Sequence, residues 1–131
     1  MADNYRRAEK HVGLLLKESL PPGKIMTRWA RIAFYAEREW VNIPAGTPYE
    51  EVIKLARKSG VRFFIADGTL YSMRPMLGKE LFEPLSDGRQ PYGKFFHNDP
   101  NYRVKGLRPF MLYTDPKSMG VVVYEIDQES G

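Results

Sequence analysis

The sequence predicts an α/β domain: a three-layer, Rossmann-like arrangement around a mixed sheet of about five strands, the first three parallel and the last two an antiparallel hairpin. Three observations predict it. Residues 40–67 read as strand, capped helix, strand, a βαβ unit whose two strands should run parallel. Residues 5–26 place an amphipathic helix ahead of a short apolar strand. The last third carries two apolar runs, Phe110–Thr114 and Val121–Ile126, joined through Asp115-Pro116-Lys117-Ser118.

Each element has a local reason. In Tyr5–Ser19, residues Tyr5, Ala8, Val12, Leu15 and Leu16 recur at three- and four-residue steps, leaving Arg6, Arg7, Glu9, Lys10 and Lys17 for water. Asp3 or Asn4 can cap its start, and Pro21-Pro22-Gly23 ends it. Lys24–Arg28 reads as a strand centred on Ile25 and Met26, and Ala30–Ala36 as one or two helical turns packing through Ile32, Phe34 and Tyr35. Trp40–Pro44 is the next strand, closed by a proline that cannot donate to a ladder. Thr47-Pro48-Tyr49-Glu50 then offers a capping hydroxyl, a proline at the first helical position and a glutamate three residues after the cap. Tyr49, Val52, Ile53 and Ala56 form the buried stripe, Arg57 and Lys58 suit the negative end of the helix, and Gly60 permits the exit turn. Val61–Ala66 is a mostly apolar strand ending in Asp67-Gly68. Leu70–Leu85 is helical in parts, limited by Pro75 and Pro84. Ser86–Arg108 is a run of turn signals, either an Ω-like functional loop or a mobile insertion.

Composition narrows the function classes. The 131 residues suit one domain, and 43% hydrophobic with 27% charged residues is the balance of a globular chain. Twenty Lys and Arg against sixteen Asp and Glu give +4, with both signs alternating, so no nucleic-acid partner is expected. The chain has no cysteine, which excludes a disulfide scaffold, a thiol nucleophile and thiolate metal sites. His11 and His97 stand far apart without spaced partners, so no metal site is expected, and no glycine-rich phosphate loop follows any strand, so no cofactor is expected either. Asn4, Asn42, Asn98 and Asn101 lack a hydroxyl residue two positions on and are not glycosylation acceptors. No apolar run reaches the roughly 20 residues that span a bilayer, and the first residues do not form a signal peptide.

Three groups of side chains could carry chemistry. Asp67-Gly68-Thr69 ends a buried strand, where α/β folds place reactive groups, and brushes against a phosphatase phrase. Ile65 occupies the place of that phrase's nucleophile, so covalent phosphoryl transfer is excluded for that motif and Asp67 reads first as part of a strand-ending turn, capping the following segment. Arg28, Trp29, Arg31 and Tyr35 combine guanidinium groups with aromatic rings, which can hold a phosphate or sugar. With strand order 2-1-3 this cluster and Asp67 would face one crevice. Otherwise Trp29 and Tyr35 are core, covered by solvated arginines. Tyr92, Phe95, Phe96 and Tyr102 interleave with Arg89, Lys94, Arg103 and Lys105, a composition that could stack bases or sugars, though such a loop more often folds back onto the domain or docks onto a partner protein.

Pro21–Arg28, Ile32–Pro44 and Tyr49–Asp67, with the closing Val121–Ile126, resemble the C-terminal soluble domain of bacterial multi-spanning glycosyltransferases. These are of the protein-mannosyltransferase and aminoarabinose-transferase type, which move a sugar from a polyprenyl-phosphate carrier. The resemblance runs from about His11 to Ile126. Glu37 stands where those proteins often have glycine in a Tyr-Ala-Gly-Arg phrase, implying a tight turn, and Ser86–Arg108 is longer than the pattern. The resemblance implies that the acids of catalysis lie in a membrane portion outside this chain, so the chain by itself has no catalytic residue and is not an enzyme. It would be an excised tail domain on the periplasmic face of the cytoplasmic membrane. Its partner would be the membrane portion of the parent, with a lipid-linked sugar phosphate or an acceptor, and its role to cover the active site or position them. The residues alone leave two alternatives: a free-standing module for a sugar phosphate or nucleotide, using Arg28, Arg31 and Asp67, and a protein-interaction module.

Overall fold

The structure, a computed structural model, describes residues 2–67, 77, 106–114 and 120–127. Its elements are α1 (Ala2–Ser19), β1 (Lys24–Met26), α2 (Ala30–Ala36), β2 (Trp40–Val41), α3 (Tyr49–Lys58), β3 (Val61–Asp67), β4 (Leu107–Thr114) and β5 (Gly120–Ile126). The strands form one mixed sheet in the order β2-β1-β3-β5-β4. β1 pairs in parallel with β2 and β3, while β5 runs antiparallel to both β3 and β4. The parallel start and the closing hairpin therefore stand as expected. One refinement concerns the βαβ unit: β2 and β3 are parallel but not neighbours, because β1 lies between them.

Two apolar clusters flank the sheet. Val12 and Leu16 of α1 with Ile32, Ala33 and Ala36 of α2 pack against Ile25, Phe63, Ile65, Val121 and Val123. Tyr49, Val52, Ile53 and Ala56 of α3 pack against Met26, Phe64, Ala66, Val122, Tyr124 and Ile126. Coverage from both sides explains why Phe63-Phe64-Ile65-Ala66 is a continuous apolar run rather than an alternation. The register slips between Lys24/Ile25 and Val61/Phe63, so Arg62 is an extra residue in β3. It lets Val61 and Phe63, two positions apart, join opposite clusters.

Several boundaries differ from those the sequence predicts. The first helix already runs from Ala2, so Asp3 and Asn4 lie within it instead of capping it. An acidic residue in a first helical turn is favoured by the helix dipole, which lets the helix start earlier. β1 stops at Met26, short of Arg28, because the Trp29 amide donates to Thr27 Oγ1 (3.2 Å) and turns the chain. β2 is only Trp40–Val41, limited by the three-residue partner beside it. Thr47 does not cap α3: Pro48 is the N-cap, its carbonyl accepts from Glu51 and Val52, and the Thr47 hydroxyl donates to Ala45 O (3.2 Å). At the other end Gly60, at φ 74°, turns the chain from α3 into β3. β4 begins at Leu107, inside the stretch read as irregular. Phe110 has no partner in its ladder to β5, a bulge that follows Pro109, which has no N–H to give. The expected helical parts of 70–85 lie outside the described residues, apart from the buried Leu77.

Candidate functional site

The parallel strands β1 and β3 end side by side, with Met26 opposite Phe64 and Asp67 three residues further along β3. The turn after β1 therefore sits level with the end of β3, the place where open α/β sheets receive ligands. Thr27, fully buried, organises this turn. Its hydroxyl accepts the Trp29 amide, and its carbonyl accepts Trp40 Nε1–H at 2.7 Å, tying the β1 exit to β2. The Arg28 guanidinium lies over the Trp29 ring, 4.4 Å from its centroid, while Trp29 packs against the α1–α2 cluster below. Stacking engages the face of a guanidinium, whereas its in-plane N–H groups are the ones that grip carboxylates and phosphates.

The structure joins only part of the predicted cluster. Arg28 and Trp29 form one unit; Arg31 is exposed on α2. Tyr35, one turn further on, stands at the seam with α1, where its Cβ would be 2.5 Å from a Cβ placed on Gly13. Its ring meets Phe34 edge-on at 5.2 Å and carries the Lys10 ammonium at 5.9 Å. The backbone of Asp67 pairs with Val121; its side chain lies outside the described residues, as do Gly68, Thr69, His97 and the aromatic–cationic stretch around 89–105. Among the described residues no group of three His, Asp or Glu is placed to hold a metal ion.

No family model, curated protein or solved structure matches the chain.

Two features escaped the sequence reading. Phe34 is 74% exposed, a correction to its expected packing role. The helical period holds the signal: with Ile32, Ala33 and Ala36 facing the sheet, position 34 falls on the far side. The second is Arg38, at the opposite end of the strands, beside an open depression of about 690 Å³. Its guanidinium donates to Leu20 O (2.6 Å) and Pro21 O (2.5 Å), with a longer contact to Gly23 O (3.4 Å). Lys24 does the same for Ser59 O at the end of α3 (2.7 Å) and pairs with Glu39 at 3.6 Å. These cations satisfy carbonyls where helices end, so that depression is built for cohesion.

Proposed function

We propose that the chain is the non-catalytic soluble domain of a multi-spanning bacterial glycosyltransferase using a polyprenyl-phosphate-linked sugar, lying on the periplasmic face. In this reading the domain is a three-layer, Rossmann-like unit. The Arg28–Trp29 end of the sheet, with Arg31, Tyr35 and Asp67 near it, helps position donor or acceptor against the membrane portion. The observation that supports it is the backbone at Glu37, which has φ 55° and ψ 47°. It is the one non-glycine with positive φ among the described residues. Where the resembling phrase often has glycine, this chain departs from it with glutamate, yet the backbone keeps the left-handed state. A left-handed backbone favours glycine because glycine has no Cβ, a reason that owes nothing to the resemblance itself. The two lines meet on one residue.

The test is the native protein. An antibody raised against the 131 residues should detect, in source cells, a membrane-fraction species far heavier than the 15.2 kDa chain. A native soluble species of the chain's own size overturns the reading.

The Arg28–Trp29 stack also favours a second reading, a module for a free sugar phosphate or nucleotide. Calorimetry with both ligand classes would show binding that Arg28→Ala abolishes. No heat with either class removes this reading and leaves the first untouched.

A further inference from the structure

The outer face of the α1–α2 layer exposes apolar and cationic groups side by side. Phe34 projects with 74% of its surface in solvent, and Leu14 of α1 is 43% exposed. The distances make the aromatic part continuous: Lys10 Nζ sits over the Tyr35 ring, and that ring meets Phe34 edge-on. Phe34 is therefore braced from the side, and its outward face packs on nothing among the described residues. Arg31, exposed, precedes it by one turn, so a guanidinium and a phenyl ring stand on the same ridge of α2. Lys17 completes the rim. It holds Glu37 at 2.6 Å, so that acid is neutralised in place; on α1, Glu18 is exposed and Glu9 buried.

We infer that this face, with Phe34 at its tip and Lys10 and Arg31 beside it, docks on an anionic lipid surface. The chemistry selects that partner. An exposed ring flanked by long cationic side chains fits the boundary between acyl chains and phosphates: the ring enters the apolar layer, and the cations stay among the headgroups. Each cation near a negatively charged bilayer adds attraction that falls within a Debye length of the surface. The inference rests on the geometry of α1 and α2 alone and goes beyond the transferase reading, which places no face of this domain on the bilayer surface.

The test is partition of the full 131-residue chain onto sedimented vesicles. Phosphatidylcholine vesicles are compared with vesicles in which phosphatidylglycerol replaces part of that lipid. The chain should partition onto the anionic vesicles at low salt and leave them as salt is raised. Phe34→Ser should lower the partition coefficient about tenfold, and Arg31→Glu by a similar factor. Phe34→Trp should retain it, since indole suits the same depth. Lys54→Glu, an exposed position on α3 across the sheet, should bind as the parent does. All three positions are exposed, so the variants keep the fold. Failure to partition, equal partition of Phe34→Ser, or equal loss in Lys54→Glu overturns the inference. So does a concentration-dependent dimer that Phe34→Ser dissolves, which would assign the patch to a second copy of the chain.

Discussion

Glu37 occupies a backbone state that costs an L-residue about 1–2 kcal/mol. The Glu37 amide donates to Phe34 O and the Arg38 amide to Ala33 O, the pair of bonds that closes a helix when the residue after its last turn is left-handed. Glycine there should be preferred, although Glu37 also gains an exposed ion pair with Lys17. Comparing Glu37→Gly with Glu37→Ala removes that pair from both. Glu37→Gly should be more stable by about 1 kcal/mol in urea unfolding, and equal midpoints would show that the turn relaxes without cost. Gly13 makes the opposite argument. By propensity alone, alanine in a helix interior gains about 1 kcal/mol over glycine. A Cβ at Gly13, however, would stand 2.5 Å from Tyr35 Cβ and 2.9 Å from Ile32 O, two atoms that cannot swing aside. Overpacking of about 1–3 kcal/mol should win, so Gly13→Ala should lower the melting temperature, and a rise would contradict the close approach of α1 and α2. The sequence holds no trace of Gly13's role, since its reason lies on another helix.

At the scale of elements, α1 and α2 are locked by Arg38. Its N–H groups reach the carbonyls of Leu20 and Pro21, which lie past the last residue of α1 and have no helical partner. Two charge-assisted bonds at a half-buried site predict a loss of about 2 kcal/mol for Arg38→Ala. Arg38→Lys should recover less than half, because one ammonium cannot span both carbonyls as the fork does. Full recovery in the lysine variant would reduce the contact to simple charge. This arginine shows where legibility stops. The amphipathic stripes of α1 and α3 and the apolar run of β3 were readable because burial follows a period. The parallel pairing of β1 and β3 followed from the helices between the strands. Thr47-Pro48-Tyr49-Glu50 had the letters of a capping box, but the Thr47 hydroxyl turned back to Ala45 O and left Pro48 at the cap. Letters fix which bonds are available; the chain's path chooses among them. The candidate site was legible at Arg28 and Trp29, adjacent in sequence and stacked in space. Tyr35 was not, because its place depends on the seam that Gly13 permits.

For the whole molecule, the question is whether the two apolar clusters melt together. β5 sits between the parallel strands and β4, and successive residues of it feed opposite faces: Val122 packs with α3, Val123 with α1 and α2. Glu125 of the same strand takes Arg62 Nε at 3.2 Å and Arg108 Nη2 at 2.9 Å, bridging β3, β5 and β4. If the sheet couples its faces, Val122→Ala and Val123→Ala should each cost about 2 kcal/mol and shift one common transition. The two side chains share no partner cluster, so the double variant should lose close to the sum. Trp29 offers a local reporter, because among the described residues it packs with the α1–α2 cluster. In a Trp40→Phe background, Val122→Ala alters the opposite face, yet it should move the Trp29 fluorescence midpoint as far as the far-ultraviolet dichroism midpoint. A Trp29 transition that ignores Val122→Ala would mean that α1 and α2 unfold from the sheet as a separate unit. The fold would then be two half-cores sharing a wall, and the Arg28–Trp29 turn would be free to move with one of them.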